Sequence, residues 1–192
     1  MILEGIVTTI NDDGTVNVSP MGPRVDVEMN RLVLRPYQTS TTYRNLKRHG
    51  EGVFHVTDDV ELLARAAVGR PDPPPPMFPA ERVAGSILTD ACRWYAFRVA
   101  SLDDRHERTE IVADVVDRGR LRDFFGFNRA MHAVVEAAIL ATRVAFLPAS
   151  DVLRQFDQLA VLVEKTGGDG QRRAFAYLDQ YVRAALTARA PL

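Results

Sequence analysis

The sequence has few cysteines, almost no net charge and no long apolar run, and each absence excludes a class of protein. Cys92 is the only cysteine of the 192 residues, which excludes an internal disulfide framework and a multi-cysteine zinc site. The formal net charge of −1 argues against a protein whose whole surface binds nucleic acid. The chain has no uncharged apolar run of about 18 residues, and its start, MILEGIVTTINDDG, lacks the pattern of a signal peptide. We therefore expect a cytoplasmic protein with no membrane segment.

The remaining composition, 46% hydrophobic and 26% charged, is typical of a globular chain, and its first part predicts strands. The turn signal Asn11-Asp12-Asp13-Gly14 separates two strand-like segments and so predicts a hairpin. Pro20 interrupts the return strand and places it at a sheet edge or a bulge. The predicted strands are Met1–Ile10, Thr15–Ser19, Leu32–Leu34, Gly52–Val56, Trp94–Val99 and Glu110–Val115.

Two helices are predicted between these strands. The first follows a run of hydroxyl residues and ends near Gly50, because serine and threonine favour helix N-caps. The second, Thr57–Val68, is amphipathic, with Asp58 and Glu61 spaced as a capping box and Gly69 as the residue after its end. The following segment, Arg70–Pro79, has six of the eleven prolines, which predicts an extended surface insertion without ladder pairing. A stiff spacer is favoured there over a partner-binding motif.

Helical periodicity begins at Asn128. The pattern predicts three helices joined by short loops, namely Asn128–Leu147, Asp151–Lys165 and Gln171–Ala188. Short strands joined by turns favour an antiparallel barrel over a doubly wound sheet. The predicted fold class is therefore mainly β (α+β), an antiparallel barrel domain over residues 1–122 followed by a C-terminal three-helix segment over residues 123–192.

The segment Met29–Gly50 is locally basic and contains no acidic residue. Thr39–Thr42 lies inside it, just before the predicted helix start. Hydroxyl donors, guanidinium groups and the N–H groups at a helix start together suit a phosphate. From composition alone a solvated basic face is favoured over the phosphate site, and a nucleic-acid patch that includes Tyr37 and Tyr43 is less favoured than either. The cations of this segment are Arg31, Arg35, Arg44, Lys47 and Arg48.

Two other segments contain candidate chemistry. The broken strand Asn17–Gly22 exposes backbone groups that can bind the polar rim of a flat heterocycle, with Met21 against its face. Taken alone, this segment is better explained as a β-bulge without a ligand. Arg129, His132 and Glu136 share one face of the predicted helix, and Arg143 continues the stripe. A line of ion pairs is favoured over a pocket with His132 as proton donor and Arg129 as anion ligand. No metal site is predicted, because this face has too few ligands.

The order of several motifs resembles a known superfamily. A first hairpin, N-x-S-P-x-G, a strand ending in R-P-Y, and S-T-T-Y-R-N-L resemble the FMN-binding split β-barrel proteins, which include flavin reductases. The stretches FNRAMHAVVEAAILATR and EKTGG narrow the resemblance to the family of domain of unknown function 447. The proline-rich insertion 70–79 departs from the pattern.

The resemblance implies a split-barrel dimer that binds FMN near the subunit interface. By analogy, the phosphate would be held by Arg35, Ser40, Thr41 and Thr42, and the isoalloxazine ring lined by Asn17, Ser19 and Met21. Asn45 would support the loop, and Tyr37 of the R-P-Y strand end belongs to the same cofactor-binding set. The implied activity is that of an FMN-dependent oxidoreductase of the flavin-reductase type, linked to one-carbon and methanopterin metabolism. A non-enzymatic FMN-binding or carrier protein and a ligand-free dimeric scaffold are the alternatives.

Overall fold

The structure is a computed structural model, and it describes residues 1–189; the last three residues of the predicted helical domain lie outside the described residues. The chain divides into two compact units. The first contains residues 1–57 and 75–124, and the second contains residues 58–74 and those from 125 onward. The two units are not the predicted segments, because residues 58–74 belong with the C-terminal helices. The predicted domain division at residue 122 therefore stays a prediction.

The first unit is built on a seven-stranded antiparallel sheet. Its strand order is β2-β1-β5-β8-β9-β4-β3, and β6 and β7 form a separate hairpin. The sheet therefore confirms the predicted antiparallel, mainly-β class. The elements of this unit are β1 (Gly5–Ile10), β2 (Val16–Met21), β3 (Arg24–Val25), β4 (Arg31–Leu34), α1 (Thr41–His49), β5 (Glu51–Val56), β6 (Met77–Pro79), β7 (Ser86–Leu88), β8 (Arg93–Asp103) and β9 (Glu110–Arg120).

The β1–β2 hairpin forms as the sequence predicts. Gly14 has a φ of +80°, a conformation that favours glycine, and its N–H donates to the carbonyl of Asn11 at 3.1 Å. The strand β2 continues through Pro20 to Met21 instead of ending at Ser19. The proline is tolerated because β2 is an edge strand, where a missing ladder donor faces no further strand.

The helix α1 packs on the main core of the sheet unit. Tyr43 and Leu46 of α1 join a buried cluster formed by strands β1, β4, β5, β8 and β9. A helix of nine residues is only marginally stable in isolation. The stability of α1 therefore comes mainly from burial of this apolar side against the sheet. The strand members of the cluster are Val7, Leu32, Leu34, Phe54, Tyr95, Phe97, Ile111 and Ala113.

The proline-rich insertion contains a strand, which corrects the prediction that it cannot enter a ladder. Met77–Pro79 pairs with Ser86–Leu88 to form the β6–β7 hairpin. Ladder pairing begins only after the four consecutive prolines, because Met77 and Phe78 again supply main-chain donors. Of the insertion, residues 70, 72–74, 76, 78 and 79 are exposed, as expected for a surface segment.

The second unit contains four helices. These are α2 (Val60–Val68), α3 (Arg129–Thr142), α4 (Ala149–Thr166) and α5 (Asp169–Arg189). The last three confirm the predicted C-terminal three-helix segment, and α2 packs against α3 and α5. Alanine-rich α3 is mostly buried among its neighbours and ends at Thr142, five residues earlier than predicted.

The helix caps of the second unit differ from two predictions. Asp59, and not Asp58, is the N-cap of α2, and its carboxylate accepts from Leu62 N–H at 2.9 Å. The carboxylate of Asp58 instead accepts from Phe125 N–H at 2.7 Å, a contact that local spacing does not indicate. Gly69, expected as the residue after the end of α2, is its C-cap and has an extended φ of −171° instead of the left-handed conformation common there.

His55 is a buried polar link between the sheet and the β6–β7 hairpin. Its Nε2 accepts from Leu88 N–H at 3.1 Å, so its Nδ1 carries the proton that is donated to the carbonyl of Ile6 at 3.1 Å. Burial lowers the pKa of the imidazole to about 4, because the charged form cannot be solvated there. His55 is therefore neutral in the folded protein at neutral pH.

We predict that His55 makes the protein less stable as the pH is lowered from 6.5 to 4. The unfolded chain protonates this imidazole near pH 6.5, whereas the folded protein resists protonation until about pH 4. The stabilisation is therefore complete above pH 6.5 and decreases as the pH falls toward 4, by about 3 kcal/mol in total. Denaturant unfolding of the wild type and His55→Asn across this range measures the difference in slope. Equal slopes for the two proteins, or an NMR titration of His55 near pH 6.5, would contradict the prediction.

Candidate functional site

The candidate site is built around the start of α1. Ser40 is the N-cap, with extended φ and ψ of −77° and 149°, and its Oγ accepts from Tyr43 N–H at 3.2 Å. The first turn contains no acidic residue, and the last turn is basic. The first N–H groups of an α-helix lack partners within the helix and, with the helix dipole, favour a bound anion.

The hydroxyl groups of Ser40 and Thr41 are both used as acceptors. Ser40 Oγ accepts from Tyr43 N–H, and Thr41 Oγ1 accepts from Arg44 Nη2 at 2.9 Å. Each hydroxyl has one hydrogen to donate, so both O–H groups remain available beside the helix start. Arg44 also donates from Nη1 to the carbonyl of Thr39 at 3.1 Å, which holds its guanidinium against the same turn.

Most cations of the basic segment have carboxylate partners elsewhere in the sheet unit. Arg31 pairs with Asp114 at 2.9 Å and Lys47 with Asp104 at 2.8 Å, while Arg48 pairs with Asp12. Arg35 and Arg44 have no carboxylate partner within residues 1–189. The two unneutralised guanidinium groups thus flank the Thr39–Thr42 turn in the sequence.

Asp104 of the β8–β9 loop forms hydrogen bonds with two side chains of α1. Its Oδ2 accepts from Tyr43 Oη at 2.6 Å and from Lys47 Nζ at 2.8 Å. These hydrogen bonds raise the pKa of Lys47 and lower the pKa of Asp104, because each favours the charged form of its group. Lys47 is therefore held as a structural cation and is not available as a base.

A polar network joins α1 to the β1–β2 hairpin. Thr9, fully buried in β1, accepts through Oγ1 from the side-chain amides of Asn45 at 3.0 Å and Asn17 at 3.3 Å. Asn17 Nδ2 also donates to Thr42 Oγ1 at 3.1 Å, and Asn45 Nδ2 donates to Asn11 Oδ1 at 2.9 Å. This network fixes the start of α1 relative to the edge strand β2.

The edge strand β2 directs its predicted ring-lining residues to the same side as α1. Asn17, Ser19 and Met21 alternate along β2 and so share one face, and Asn17 contacts Thr42 of α1. Met21 packs against the main core cluster. The only hydrogen bond of the Ser19 hydroxyl is a long one, 3.5 Å, to the carbonyl of Pro20. This face therefore combines an amide, a weakly engaged hydroxyl and an apolar side chain.

The segment that links β4 to α1 is held by the β8–β9 loop. The main chains of Tyr37 and Arg108 form an isolated antiparallel β-bridge. The Arg108 guanidinium lies 5.5 Å from the centre of the Tyr37 ring. Arg108 Nε also donates to the carbonyl of Arg35 at 3.3 Å, and Thr109 Oγ1 donates to the carbonyl of Pro36 at 2.8 Å. The Tyr37 ring remains 54% exposed. These contacts fix the backbone on which the Arg35 side chain is mounted.

The structure thus brings together part of the predicted site. Asn17, Thr42 and Asn45 belong to one hydrogen-bonded network, and Ser40 and Thr41 form the start of the same helix. The Thr42 side chain is buried and bonded to Asn17, so its hydroxyl serves the network. Within residues 1–189, no hydrogen bond or ion pair joins the side chain of Arg35 or Ser19 to the other predicted residues.

The predicted stripe on α3 belongs to the helical unit. Its residues Arg129, His132, Glu136 and Arg143 are exposed, as expected for a polar face. The predicted ion pairs do not form, however, since within residues 1–189 none of the four has a charged partner. His132 instead stacks on Phe127, with ring centres 6.2 Å apart. The proposed catalytic roles of His132 and Arg129 stay predictions.

Sequence reasoning missed Thr9, Asn11, Asp104 and Arg108. Thr9 lies inside a β-branched strand, where threonine is an ordinary residue. The only signal for Thr9 in the sequence is its position two residues after Val7, which places both side chains on the same face of β1. Asp104 and Arg108 lie in the β8–β9 loop, and their contacts with α1 and the segment before it cross more than 55 residues. No local pattern indicates such contacts.

The chain belongs to a family known by its sequence model. Residues 3–122 match the model described as protein of unknown function (DUF447), N-terminal domain, and residues 128–180 match the model described as protein of unknown function (DUF447). No curated protein matches the chain.

Solved structures with flavin ligands or flavin-linked activities share the fold. An FMN-bound protein of the same family from Methanosarcina mazei is 23% identical, with a TM-score of 0.78 and 94% of each chain covered. The flavin reductase of styrene monooxygenase from Pseudomonas putida S12 is 14% identical, with a TM-score of 0.52 over 62% of this chain and 80% of that chain. An FMN-binding protein from Thermus thermophilus is 13% identical, with a TM-score of 0.53 over 62% and 70%. The sheet unit therefore has the split β-barrel fold that these structures share.

Residues 1–189 lack two structural features. None of the helices there is both long and apolar enough to cross a membrane. The same residues contain no group of three or more histidine, cysteine or acidic side chains placed to hold a metal ion.

We predict that Ser40→Ala lowers the free energy of unfolding by about 1 kcal/mol, the usual contribution of an N-cap side chain. The substitution removes the acceptor for Tyr43 N–H at the start of α1. Denaturant unfolding measures the loss, and Ser40→Asp, which keeps an acceptor at the cap, serves as the matched control. Equal loss in both variants would show that the cap hydrogen bond is not the cause.

Proposed function

We propose that this protein is an FMN-binding flavoprotein whose flavin phosphate is held at the start of α1. The single observation that carries the proposal is the set of free O–H donors on Ser40 and Thr41 at that turn beside Arg44, a cation without a carboxylate partner within residues 1–189. Arg35, which also lacks such a partner there, lies just before the turn in the sequence. A phosphate ester needs these donors and positive charges. The FMN-bound family member from Methanosarcina mazei supports the identity of the ligand.

The proposed phosphate site uses side chains and main chain together. The O–H groups of Ser40 and Thr41 donate to the phosphate, and the main-chain N–H of Thr42 adds a third donor at the helix start. Arg35 supplies the guanidinium group, while Arg44 adds positive charge and holds the turn through Thr39 and Thr41. The Thr42 hydroxyl is buried and accepts from Asn17, so this proposal gives it a structural part and leaves the phosphate contacts to the more exposed Ser40 and Thr41.

The proposed ring site is the α1-facing side of β2. Asn17 and Ser19 would bind the polar edge of the isoalloxazine, and Met21 would pack on its apolar surface. Asn45 supports this arrangement through Thr9 and Asn11 and is not in the ring site itself. Tyr37, half exposed beside Arg35, completes the set as an aromatic wall near the phosphate end.

We further propose an oxidoreductase of the flavin-reductase type that works as a homodimer with FMN near the interface. The fold shared with flavin reductases supports this assignment. Bound FMN would supply the hydride or electron chemistry. In this proposal the residues of this chain bind the phosphate and orient the ring, while Lys47 and Asp104 are paired with each other.

We predict that Arg35→Ala combined with Thr41→Ala weakens FMN binding by about 10- to 100-fold, the loss expected for one or two charge-assisted hydrogen bonds. Affinity for riboflavin, which has no phosphate, should change little. Fluorescence titration of the purified protein with each flavin measures both values. Equal losses for FMN and riboflavin would contradict the phosphate assignment, and a wild-type protein that binds neither flavin would remove the proposed function.

Arg31→Ala is the matched control for this experiment. Arg31 belongs to the same basic segment, but it is already paired with Asp114 on an exposed part of the sheet. Its removal should leave FMN affinity within about twofold of the wild type, since exposed ion pairs contribute little. A large loss of FMN affinity in this variant would indicate that general positive charge, and not the α1 turn, attracts the flavin.

We also predict that the bound flavin is reduced rapidly by NADH or NADPH under anaerobic conditions if the protein is an oxidoreductase. The measurement is the loss of flavin absorbance in a stopped-flow mixture of holoprotein and either nucleotide. A flavin that binds tightly but is not reduced by these donors or by a reduced deazaflavin would favour a carrier over an enzyme.

A further inference from the structure

We infer that Thr9 is a positioning residue that fixes the side-chain amide of Asn17 so that its oxygen, and not its nitrogen, faces the ligand. This inference rests on the proposed function, because it takes the α1-facing side of β2 as the flavin-ring site. It assigns a role to a residue that contacts neither the phosphate nor the ring.

The hydrogen bonds of Asn17 leave one group uncommitted. Its Nδ2 donates to Thr9 Oγ1 at 3.3 Å and to Thr42 Oγ1 at 3.1 Å. A side-chain amide has two N–H donors, so both are used within the protein. Asn17 Oδ1 makes no hydrogen bond within residues 1–189 and is the group left for a ligand. The ligand group that it binds must therefore be a donor, such as the imide N–H of the flavin or a ribityl hydroxyl.

Thr9 is the fixed point of this arrangement. It is fully buried in β1, directly opposite Asn17 in the β1–β2 register. Its Oγ1 also accepts from Asn45 Nδ2 at 3.0 Å, and Asn45 is buried in α1 and bonded to Asn11. The threonine oxygen thus receives one hydrogen bond from the strand and one from the helix. Its loss would remove one of the two hydrogen bonds that orient the Asn17 amide, while the bond from Asn17 to Thr42 remains.

Thr8 provides a matched control on the same strand. It is as fully buried as Thr9 and makes one side-chain hydrogen bond, from its Oγ1 to the carbonyl of Ser86 at 2.6 Å. Because neighbouring residues of a strand point to opposite faces, Thr8 faces the β6–β7 hairpin and Thr9 faces α1. The exchange of either threonine for valine removes a hydroxyl and keeps the side-chain shape.

The test compares Thr9→Val, Thr9→Ser and Thr8→Val with the wild-type protein. We expect Thr9→Val to weaken FMN and riboflavin by the same factor, about tenfold, which corresponds to one hydrogen bond at the ring. Thr9→Ser keeps the acceptor and should bind both flavins within twofold of the wild type. Thr8→Val should lose stability but keep flavin affinity, with all titrations made at a temperature at which each variant is folded.

Each outcome separates this inference from the proposed function. If wild-type protein binds neither flavin, the proposed function fails and the role of Thr9 fails with it. If the wild type binds FMN but Thr9→Val binds it equally well, or if Thr8→Val weakens it as much, the positioning role alone is overturned. A loss in Thr9→Val that appears for FMN but not for riboflavin also overturns it, because the effect would then act on the phosphate.

Discussion

The packing of α1 on the β1–β2 hairpin is the constraint on which the candidate site depends. Tyr43 and Leu46 give α1 its apolar contact with the core, and the amides of Asn17 and Asn45 meet at Thr9 on its polar side. Apolar burial supplies most of the free energy but no direction. The buried hydrogen bonds, which are costly to leave unpaired, determine how the helix start is placed beside the edge strand.

The arrangement of carboxylates decides which cations of the basic segment can bind an anion. Arg31, Lys47 and Arg48 are neutralised by acidic residues from β9, the β8–β9 loop and the β1–β2 turn. Arg35 and Arg44 have no carboxylate partner within residues 1–189, so their positive charge is not balanced by an ion pair. The segment is acid-free in sequence, yet more than half of its charge is balanced by the fold, so local composition overstates the positive charge of the site.

The sequence predicts the local features of the fold and the site well and the distant ones poorly. The Asn11–Gly14 turn and the cap at Ser40 depend on a few neighbouring residues, and they form as expected because local chemistry determines them. The Asp58–Phe125 contact and the hydrogen bond of Asn45 to Thr9 depend on residues far apart in the chain. Pro20 illustrates the boundary between the two: its presence indicates an edge strand, but only the sheet shows that β2 continues through it.

The alternation of β1 separates two functions of the sheet. One face carries Thr8, which with His55 of β5 fastens the β6–β7 hairpin through main-chain groups of Ser86 and Leu88. The other face carries Thr9, which holds α1 and the amide of Asn17. A strand that is buried on both sides can thus anchor a surface hairpin on one face and organise a candidate flavin site on the other. Since a shift of one residue would exchange the two faces, the register of β1 with β2 and β5 is as important to the site as any residue that would contact the ligand.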